Sequence, residues 1–433
     1  MPTRTAARSR AAAYLSSRVR FGIKFGLETM RALCEELHHP ERAFASLLVA
    51  GTNGKGSVVA YADAVLRASG LAVGRYTSPH LVRVNERIAV GGRDVEPAAF
   101  EAAVERVRRA AARLVRARTI PAHPTYFEVV TAAALVHFRG ARVDVAVLEV
   151  GMGGRLDATN VAEPLASAIV SVEKDHEAYL GSTLAAIAYE KAGVLRAGRS
   201  TVLGPLAPEA RAAVEKEAAG GGARLVSARE GVAVKETSDG LEIRTPHFTY
   251  RGVRTLPGAH QRENALVALR LLEEARAAGL AVNLAAAGAA MAETRWPGRL
   301  ERVLIQGAPP LLLDGAHNPA AARALAAYLR DAAPFVLLFG VMADKDVEVM
   351  TRILFPLAQA VVLTRAPTDR AAAPGEIARR AGETARWAKT EANPRRALAL
   401  ARRLAPAGGQ VVVAGSLYLV GEITRILTRA RRA

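Results

Sequence analysis

The stretch from Leu47 to Gly70, LLVAGTNGKGSVVAYADAVLRASG, constrains the fold of this chain more than any other. An apolar run ends in GTNGKGS and a helical pattern begins at once, as in a strand that leads into a helix. The glycines permit a tight turn with inward N–H groups, and the helix near Ser57 adds its positive end. Lys55 supplies a point charge, so the turn is predicted to bind phosphate as a P-loop variant in which Gly56 separates Lys55 from Ser57. The alternative is a plain glycine turn.

Short apolar runs alternate with alanine-rich helical stretches along most of the chain. Runs such as SLLVAGT, VDVAVLEVG and ASAIVSVE are apolar on both faces, which is typical of parallel strands covered by helices. A stretch at 232–256 predicts a small antiparallel meander with a turn at SDG. The alternation restarts after RWPGRLE, and 433 residues are too many for a single core. We predict an α/β fold with a parallel-sheet domain at 1–296, which includes the antiparallel subdomain, and a smaller α/β domain at 297–433.

The composition narrows the classes of function. The formal net charge of +18 would suit nucleic acid or an acidic small substrate. Aromatic residues make up only 5% and are not interleaved with the basic ones, so we expect solvated helix faces and no nucleic-acid partner. No apolar run is long enough to span a membrane, so we expect no membrane association. The single cysteine, Cys34, excludes an internal disulfide and fits a reducing cytoplasm.

Polar residues follow several predicted strands of the first domain. Ser78 and His80 come after VGRYT, where a hydroxyl can ligate Mg²⁺ but a Ser-Pro pair is more commonly a plain turn. Glu149 ends a buried strand, where either a metal ion or the capping of the next helix would compensate its charge. His176 follows another strand of the same sheet, which favours a metal role over that of a satisfied surface histidine. These residues are expected to meet, because ligands of such sheets bind at the carboxyl ends of the strands.

Three more charged or titratable residues lie in similar places. Lys191 is on the helix after His176; facing the site it would steady phosphate charge, and facing outward it would only pair with Glu190. In the second domain LDGAHNP places Asp314 and His317 at a strand end, and FGVMADKD and VVVAGSLYLVGE occupy other strand ends.

The joint pattern resembles the folylpolyglutamate synthase/dihydrofolate synthase family, a branch of the Mur ligases. The similarity covers nearly the whole chain, and its marks in order are FGLETM, VAGTNGKGS, TSPHL with NERI, TYFEVVTAAA, EVGMGGRLDATN, DH with LGSTLAAIAYEKAG, HQRENA, WPGRLE, LDGAHNP and AGSLYLVGE. The resemblance implies a P-loop-type ATPase domain followed by a Rossmann-like domain. It also implies a monomer.

The resemblance implies an activity as well. In that family ATP phosphorylates a carboxylate of a pteroate or folate compound, and the amine of L-glutamate attacks the acyl phosphate to give an amide, ADP and phosphate. The expected partners are therefore ATP, two Mg²⁺ ions, L-glutamate and dihydropteroate or a folate. The resemblance leaves open whether the chain makes dihydrofolate, lengthens polyglutamate tails, or does both.

The resemblance also assigns roles to individual positions. The triphosphate is assigned to Gly54, Lys55, Gly56 and Ser57, and the rest of ATP to Asn264, Arg299 and Asp314, with His317 beside them. One Mg²⁺ is assigned to Ser78 and Glu149 and a second to His176, while Lys191 matches a lysine that is carbamylated and therefore carries a negative charge. Lys55, Lys191, Asp314 and His317 are the expected catalytic residues. The pterin or folate is assigned to Lys24, Phe25, Gly26, Leu27, Thr125, Tyr126, Phe127, Glu128, Leu156, Asp157 and Ala158.

The sequence departs from the family pattern in two places and leaves alternatives open. Leu48 replaces a histidine that is often seen before VAGTNGKGS, and Glu173 and Lys174 place extra charges beside the expected metal. One alternative is a Mur-type ligase for a different acid. A P-loop GTPase is another, although the chain lacks an Asn-Lys-x-Asp element for guanine. The third is a nucleic-acid-binding protein, suggested by the charge alone.

Overall fold

The computed structural model describes residues 10–18 and 26–430, and it contains three β-sheets. The first sheet has eight strands in the order β4-β3-β2-β5-β1-β6-β7-β8. Their bounds are β1 Ala45–Ala50, β2 Val73–Tyr76, β3 Ile88–Val90, β4 Arg93–Asp94, β5 Val145–Glu149, β6 Ala166–Ile169, β7 Ser200–Leu203 and β8 Arg224–Ser227. Strands β2, β5, β1, β6, β7 and β8 run parallel, whereas β3 and β4 form an antiparallel edge. The predicted parallel sheet is confirmed, and this edge was not foreseen.

Helices cover both faces of the first sheet. They are α1 Arg10–Arg18, α2 Glu28–Glu36, α3 Lys55–Ala68, α4 Pro97–Arg116, α5 Tyr126–Gly140, α6 Glu177–Leu180, α7 Leu184–Lys191 and α8 Pro208–Gly221. The side chains of a strand alternate between the faces, so Leu48 and Ala50 join one core cluster while Leu47 and Val49 join the other. This double burial explains why the strands read as continuous apolar runs.

The antiparallel subdomain follows the first sheet. Its strands are β9 Ala233–Thr237, β10 Gly240–Arg244 and β11 Thr249–Val253, and both pairings are antiparallel, as predicted. Two helices follow, α9 His260–Ala277 and α10 Ala287–Ala292. Helix α9 packs against α3 and contributes residues 265–269 to the core shared with β1. Leu241, Ile243, Tyr250 and Val253 of the meander belong to the same core cluster, so the meander is attached to the first sheet domain.

The last sheet forms after the WPGR segment and has the order β12-β13-β17-β14-β15-β16. Its strands are β12 Glu301–Val303, β13 Leu311–Leu313, β14 Phe335–Phe339, β15 Ala360–Leu363, β16 Lys389–Thr390 and β17 Gln410–Ala414. The helices are α11 Pro319–Leu329, α12 Val347–Leu354, α13 Pro374–Ala381, α14 Pro394–Leu404 and α15 Leu417–Ala430. Only the pairing of β12 with β13 is antiparallel in this sheet. None of the described helices is both long and apolar enough to cross a membrane.

Candidate active site

The glycine turn after β1 is closed by a glycine that no other residue can replace without strain. Gly54 has a φ of +84°, and a Cβ at this position would lie 2.3 Å from Oδ1 of Asn264. Helix α3 begins at the next residue, Lys55, slightly earlier than the sequence indicated. The turn therefore presents the start of a 14-residue helix to the space above the sheet, which is a favourable place for an anion.

Lys55 lies inside the turn that it completes. Its Nζ donates to the carbonyl oxygens of Gly51 at 2.9 Å and Thr52 at 3.1 Å. Burial lowers the pKa of Lys55, and the nearby Glu149 carboxylate opposes that change. The ammonium is thus held in place before any ligand binds.

The turn is also tied to the loop that follows β6. The Asn53 N–H donates to Ser171 Oγ at 2.9 Å, and that hydroxyl donates to the Asn53 carbonyl at 3.0 Å. Thr52 Oγ1 accepts from the Glu173 N–H at 3.1 Å and donates to the Glu173 carbonyl at 3.2 Å. Glu173, one of the unusual charges noted in the sequence, is therefore part of the scaffold of the turn through its backbone.

Glu149 and Ser78 meet at the carboxyl end of the first sheet. Glu149 is 5% exposed, and its Oε2 accepts a hydrogen bond from the Ser78 N–H at 3.1 Å. Burial raises the pKa of Glu149, while Lys55 opposes the change. Oxygen donors from a carboxylate and a hydroxyl are the type that Mg²⁺ prefers, and Mg²⁺ commonly takes its other ligands from water and phosphate. The donor set fits such an ion, although no cluster of three His, Cys, Asp or Glu side chains suited to a metal occurs in residues 10–18 and 26–430.

His176 and Lys191 line the same cavity as Glu149. Burial lowers the pKa of His176 to about 4, so its imidazole is neutral near pH 7, which is the form that can ligate a metal. Lys191 is 2% exposed, and burial together with the charge of Lys55 lowers its pKa to about 7. A large fraction of Lys191 is therefore an uncharged amine near neutral pH.

Asp314 holds the connection between the two halves of the chain. Its Oδ2 accepts from the Leu300 N–H and its Oδ1 accepts from the Ala316 N–H, both at 2.9 Å. Burial raises the pKa of Asp314, and Arg299 opposes the change. The Gly315 N–H also donates to the Gly298 carbonyl at 2.9 Å. Asp314 thus fixes the backbone beside Arg299.

Several polar contacts cross from the first sheet domain to the last. Asp175 accepts a hydrogen bond from Lys345 Nζ at 2.5 Å, and both side chains are buried. Asn53 and Asn318 exchange amide hydrogen bonds at 3.0 and 3.3 Å. His317 places its Nε2 3.6 Å from Asp175, while its Nδ1 lies 2.8 Å from the Gly315 carbonyl. Burial raises the pKa of Asp175, but His317, His176 and Lys345 outweigh this and hold the pKa well below its usual range.

The residues expected at the pterin site shape one wall of the cavity. Glu128 Oε2 accepts from the N–H and the hydroxyl of Thr125 at 2.7 and 2.8 Å, which caps α5. Its other oxygen is buried and accepts no hydrogen bond from the described residues. Both oxygens of Asp157 accept from its own loop, from the N–H groups of Gly151 and Met152 and from Thr159. Asp157 therefore orders the loop rather than presenting a free carboxylate.

One cavity of about 600 Å³ gathers most of the residues that the sequence singled out. The expected site residues that line it are Gly26, Gly54, Lys55, Gly56, Ser57, Ser78, Thr125, Phe127, Glu128, Glu149, Leu156, Asp157, Ala158, His176, Lys191, Asn264, Arg299, Asp314 and His317. Leu27 and Tyr126 are not among the lining residues, and Lys24 and Phe25 lie outside the described residues. The cavity is formed by both sheet domains.

Several residues that hold the cavity together were not predicted to have a role. They are Asp175 in DH, Lys345 in FGVMADKD and Asn53 in the glycine turn. Their position after strands was a usable signal, because each follows a strand whose carboxyl end faces the cavity. The sequence could not predict that Asp175 pairs with Lys345, because the two residues are 170 positions apart.

Comparisons with known proteins agree with this architecture. A family model described as the Mur ligase middle domain matches residues 49–272, and one described as the glutamate ligase domain of Mur ligases matches residues 298–417. The fold and the cavity thus define a two-domain ligase of the Mur type. The chain belongs to the folylpolyglutamate synthase/dihydrofolate synthase family.

Individual relatives are similar over most of their length. The chain is 34% identical to the dihydrofolate synthase/folylpolyglutamate synthase of Bacillus subtilis, over 81% of this chain and 83% of the relative. A structure of Mycobacterium tuberculosis folylpolyglutamate synthase complexed with ADP superposes with a TM-score of 0.88 and 34% identity, covering 96% of both chains. Another structure, of a bifunctional folylpolyglutamate synthase/dihydrofolate synthase with Mn, AMPPNP and L-glutamate bound, gives a TM-score of 0.85 and 30% identity, covering 99% of both chains.

Proposed function

We propose that this protein joins L-glutamate to dihydropteroate, to folates that carry glutamate tails, or to both, with ATP as the energy source. The acid is activated as an acyl phosphate, and ADP and phosphate are released. The observation that carries the proposal is the cavity between the two domains, where the glycine turn, Glu149, Lys191 and His317 line one space. The relatives that bear the name of this activity support it.

The nucleotide is assigned to the end of the cavity near the glycine turn. The N–H groups at the start of α3 and the ammonium of Lys55 stabilise phosphate charge. Asn264 packs against Gly54, and Arg299 stands beside Asp314 on the other side of the cavity, so ATP touches both domains. A ligand that contacts both domains favours their closed arrangement.

Mg²⁺ is assigned to Ser78 and Glu149, and a second ion to His176. A divalent ion at these residues neutralises the triphosphate and the charge that develops during phosphoryl transfer. The chain's own residues do the remaining work. They bind and orient the acid, the nucleotide and glutamate, and they exclude water that would hydrolyse an acyl phosphate.

We also propose that Lys191 is carbamylated. Addition of an amine to CO₂ requires the unprotonated amine and releases a proton, and burial supplies that form by lowering the pKa of Lys191 to about 7. The product is a carbamate anion, which would serve as a metal ligand beside His176. A carbamate carbon signal in protein exchanged with ¹³C-bicarbonate, absent from Lys191→Gln, tests this; the same spectrum in both proteins contradicts it. Lys191→Glu, which restores an anion, should retain more activity than Lys191→Gln.

Three further assignments complete the proposal. The protein acts as a monomer, uses no nucleic acid, and works in the cytoplasm, a location supported by its single, buried and unpaired cysteine. Sedimentation of the purified protein with and without ATP tests the monomer, and a second species twice as heavy contradicts it.

ATP-dependent incorporation of labelled glutamate tests the activity, with dihydropteroate and a reduced folate offered separately. Glu149→Ala should abolish incorporation, while Glu230→Ala, which removes an exposed carboxylate, should not. Incorporation with only one of the two acids restricts the function to the ligation of glutamate to that acid. ATP binding without incorporation into either acid contradicts the proposal and favours a Mur-type ligase for a different acid.

A further inference from the structure

Arg87 is a buried arginine on the cavity wall that the activity described above does not use. It is 7% exposed and ends the short turn Val84–Arg87 just before β3. Its Nε donates to Nδ1 of His80 at 3.1 Å, and its guanidinium carbon lies 5.5 Å from the ring centre of Tyr126. Its carbonyl accepts the Thr77 N–H at 2.9 Å. Both its backbone and its side chain are therefore fixed.

His80 holds Arg87 without neutralising it. The Nδ1 of His80 accepts the hydrogen bond from Arg87 Nε, and an imidazole carries no negative charge that could balance a guanidinium. Arginine stays protonated near neutral pH. The pair thus leaves a full positive charge on the guanidinium.

No carboxylate of the described residues forms an ion pair with Arg87, although the buried Glu149 is near enough for the charge of Arg87 to oppose the rise in its pKa that burial causes. Among residues 10–18 and 26–430, no Asp or Glu oxygen lies within 4.0 Å of the Arg87 guanidinium. The remaining stretches, 1–9, 19–25 and 431–433, contain no acidic side chain. A buried charge is costly unless it is paired, so an arginine at this depth is suited to an anionic ligand.

The position of Arg87 indicates which anion it meets. Thr77, which bonds to the Arg87 carbonyl, precedes Ser78, and the Ser78 N–H bonds to Glu149. On its other side Arg87 stacks on Tyr126, which begins the helix of the expected pterin wall. Arg87 therefore lines the cavity between the phosphate end and the pterin end. In the reaction proposed above, the carboxylate of the acid substrate has to meet the triphosphate between these two ends.

We propose that Arg87 binds the reacting carboxylate of the pteroate or folate substrate through its planar guanidinium, and so sets the enzyme's preference for an acid. The proposal rests on the function proposed above. The guanidinium fits a carboxylate with parallel hydrogen bonds, which a lysine ammonium cannot reproduce.

Arg87 transfers no proton in the proposed reaction. A carboxylate oxygen forms a bond to the γ-phosphorus of ATP, and the bond from that phosphorus to the β–γ bridging oxygen breaks, with the electron pair leaving on ADP. The unprotonated amine nitrogen of glutamate then bonds to the acyl carbon, the bond from that carbon to the phosphate oxygen breaks with its electron pair leaving on phosphate, and the nitrogen loses one proton to the released phosphate or to water. Arg87 donates hydrogen bonds throughout and orients the attacking oxygen.

Binding of two ligands to wild-type protein and Arg87→Gln tests the assignment directly. The ligands are dihydropteroate and its carboxamide, which differ only at the group that Arg87 is proposed to hold. We expect the substitution to weaken dihydropteroate binding by about 10- to 100-fold, the usual size of a charge-assisted hydrogen bond. Binding of the carboxamide should change by less than about twofold. Equal weakening of both ligands indicates a merely structural Arg87 and overturns the proposal.

Steady-state kinetics supply the second readout. Arg87→Gln should raise KM for dihydropteroate by a similar factor of about 10 to 100 and leave KM for ATP nearly unchanged. Arg87→Lys, which keeps the charge but not the planar fork, should lie between wild type and Arg87→Gln. Arg93→Gln removes an exposed arginine from the neighbouring strand β4 and serves as the matched control. ADP binding and the melting temperature of each variant report whether it folds.

The outcomes separate the two proposals. Wild-type protein that binds ATP but ligates glutamate to neither dihydropteroate nor a reduced folate contradicts the proposed function, and the Arg87 assignment falls with it. An active wild type whose Arg87→Gln variant keeps its KM for dihydropteroate contradicts the Arg87 assignment alone.

Discussion

Asp175 and Lys345 form a buried ion pair that joins the two domains beside His176, one of the candidate metal residues. The Nζ of Lys345 donates to Oδ1 of Asp175 at 2.5 Å, and the two side chains are 8% and 6% exposed. Asp175 precedes His176, and Lys345 follows the strand β14 of the last sheet. The pair stabilises the arrangement in which both domains face one cavity.

Breaking this pair should reduce activity strongly. Breaking a buried ion pair typically costs about 3–5 kcal/mol. After Lys345→Met the Asp175 carboxylate keeps His317 and Asn318 as partners, and after Asp175→Asn the Lys345 ammonium keeps the exposed Asp344. Each substitution is expected to lower kcat/KM for glutamate by at least about 100-fold. The double variant should be little worse than Asp175→Asn alone, because Asp175→Asn already removes the contact with Lys345.

An exposed ion pair provides the control for that experiment. Glu348 and Arg352 pair on the surface of α12 with side chains that are 64% and 65% exposed. Glu348→Gln should leave kcat/KM unchanged, since surface pairs contribute about 0–1 kcal/mol. Wild-type activity in Lys345→Met would contradict the importance of the interdomain pair.

Alanine substitutions at two glycines with nearly the same φ angle can distinguish the effect of backbone strain from that of steric crowding. Gly54 and Gly70 have φ values of +84° and +83°, but a Cβ would meet Asn264 at 2.3 Å only at Gly54 and nothing within 4 Å at Gly70. Alanine should destabilise both sites by about 1–2 kcal/mol through the left-handed conformation. Only Gly54→Ala should also weaken ATP binding, by about tenfold or more. Calorimetric titration with ATP measures this, and equal ATP affinity in the two variants would show that Asn264 does not constrain the turn.

Glu105 should contribute to the loss of folding stability at acid pH. The hydrogen bonds from Arg108 lower the pKa of Glu105 from 4.5 to about 2; burial opposes this, and the hydrogen bond from Arg109 adds to the lowering. Because the folded protein holds the carboxylate at a lower pKa than the unfolded chain, the stabilisation is present above pH 4.5 and is lost as the pH falls toward 2.

Melting temperatures of Glu105→Gln and wild type should therefore differ at pH 7 and converge as the pH falls below 4.5. Glu101→Gln, on the exposed side of the same helix, should show no such convergence. A difference for Glu105→Gln that is independent of pH would rule out the ion pair as its source.

The local parts of the architecture were readable from the sequence. Strand β1 and the turn after it follow from an apolar run, glycines at fixed spacing and a helical pattern, all within 24 residues. The edge strands β4 and β12 were not predicted, because two or three residues carry no periodicity and pair only once a neighbour is in place. Lys345 could be placed at a strand end, but its partner Asp175 depends on how two domains pack.

The roles of individual side chains were harder to predict from the sequence than their positions in the fold. The family resemblance assigned Asp157 to the pterin or folate site, and Asp157 does line the cavity, yet its carboxylate accepts hydrogen bonds from Gly151, Met152 and Thr159. The motif indicates that an acidic residue is needed at this position. It does not distinguish an acid that contacts the substrate from one that orders a loop. The expectation that Asp157 belongs to the substrate site stays a prediction.

Transfer of an oxygen isotope from the acid to phosphate tests whether an acyl phosphate forms. Dihydropteroate labelled with ¹⁸O in its carboxylate is incubated with the protein, ATP, Mg²⁺ and L-glutamate, and the released phosphate is examined by mass spectrometry. Attack of the carboxylate on ATP predicts that ¹⁸O appears in inorganic phosphate in step with amide formation. Amide formation with unlabelled phosphate would contradict an acyl-phosphate intermediate.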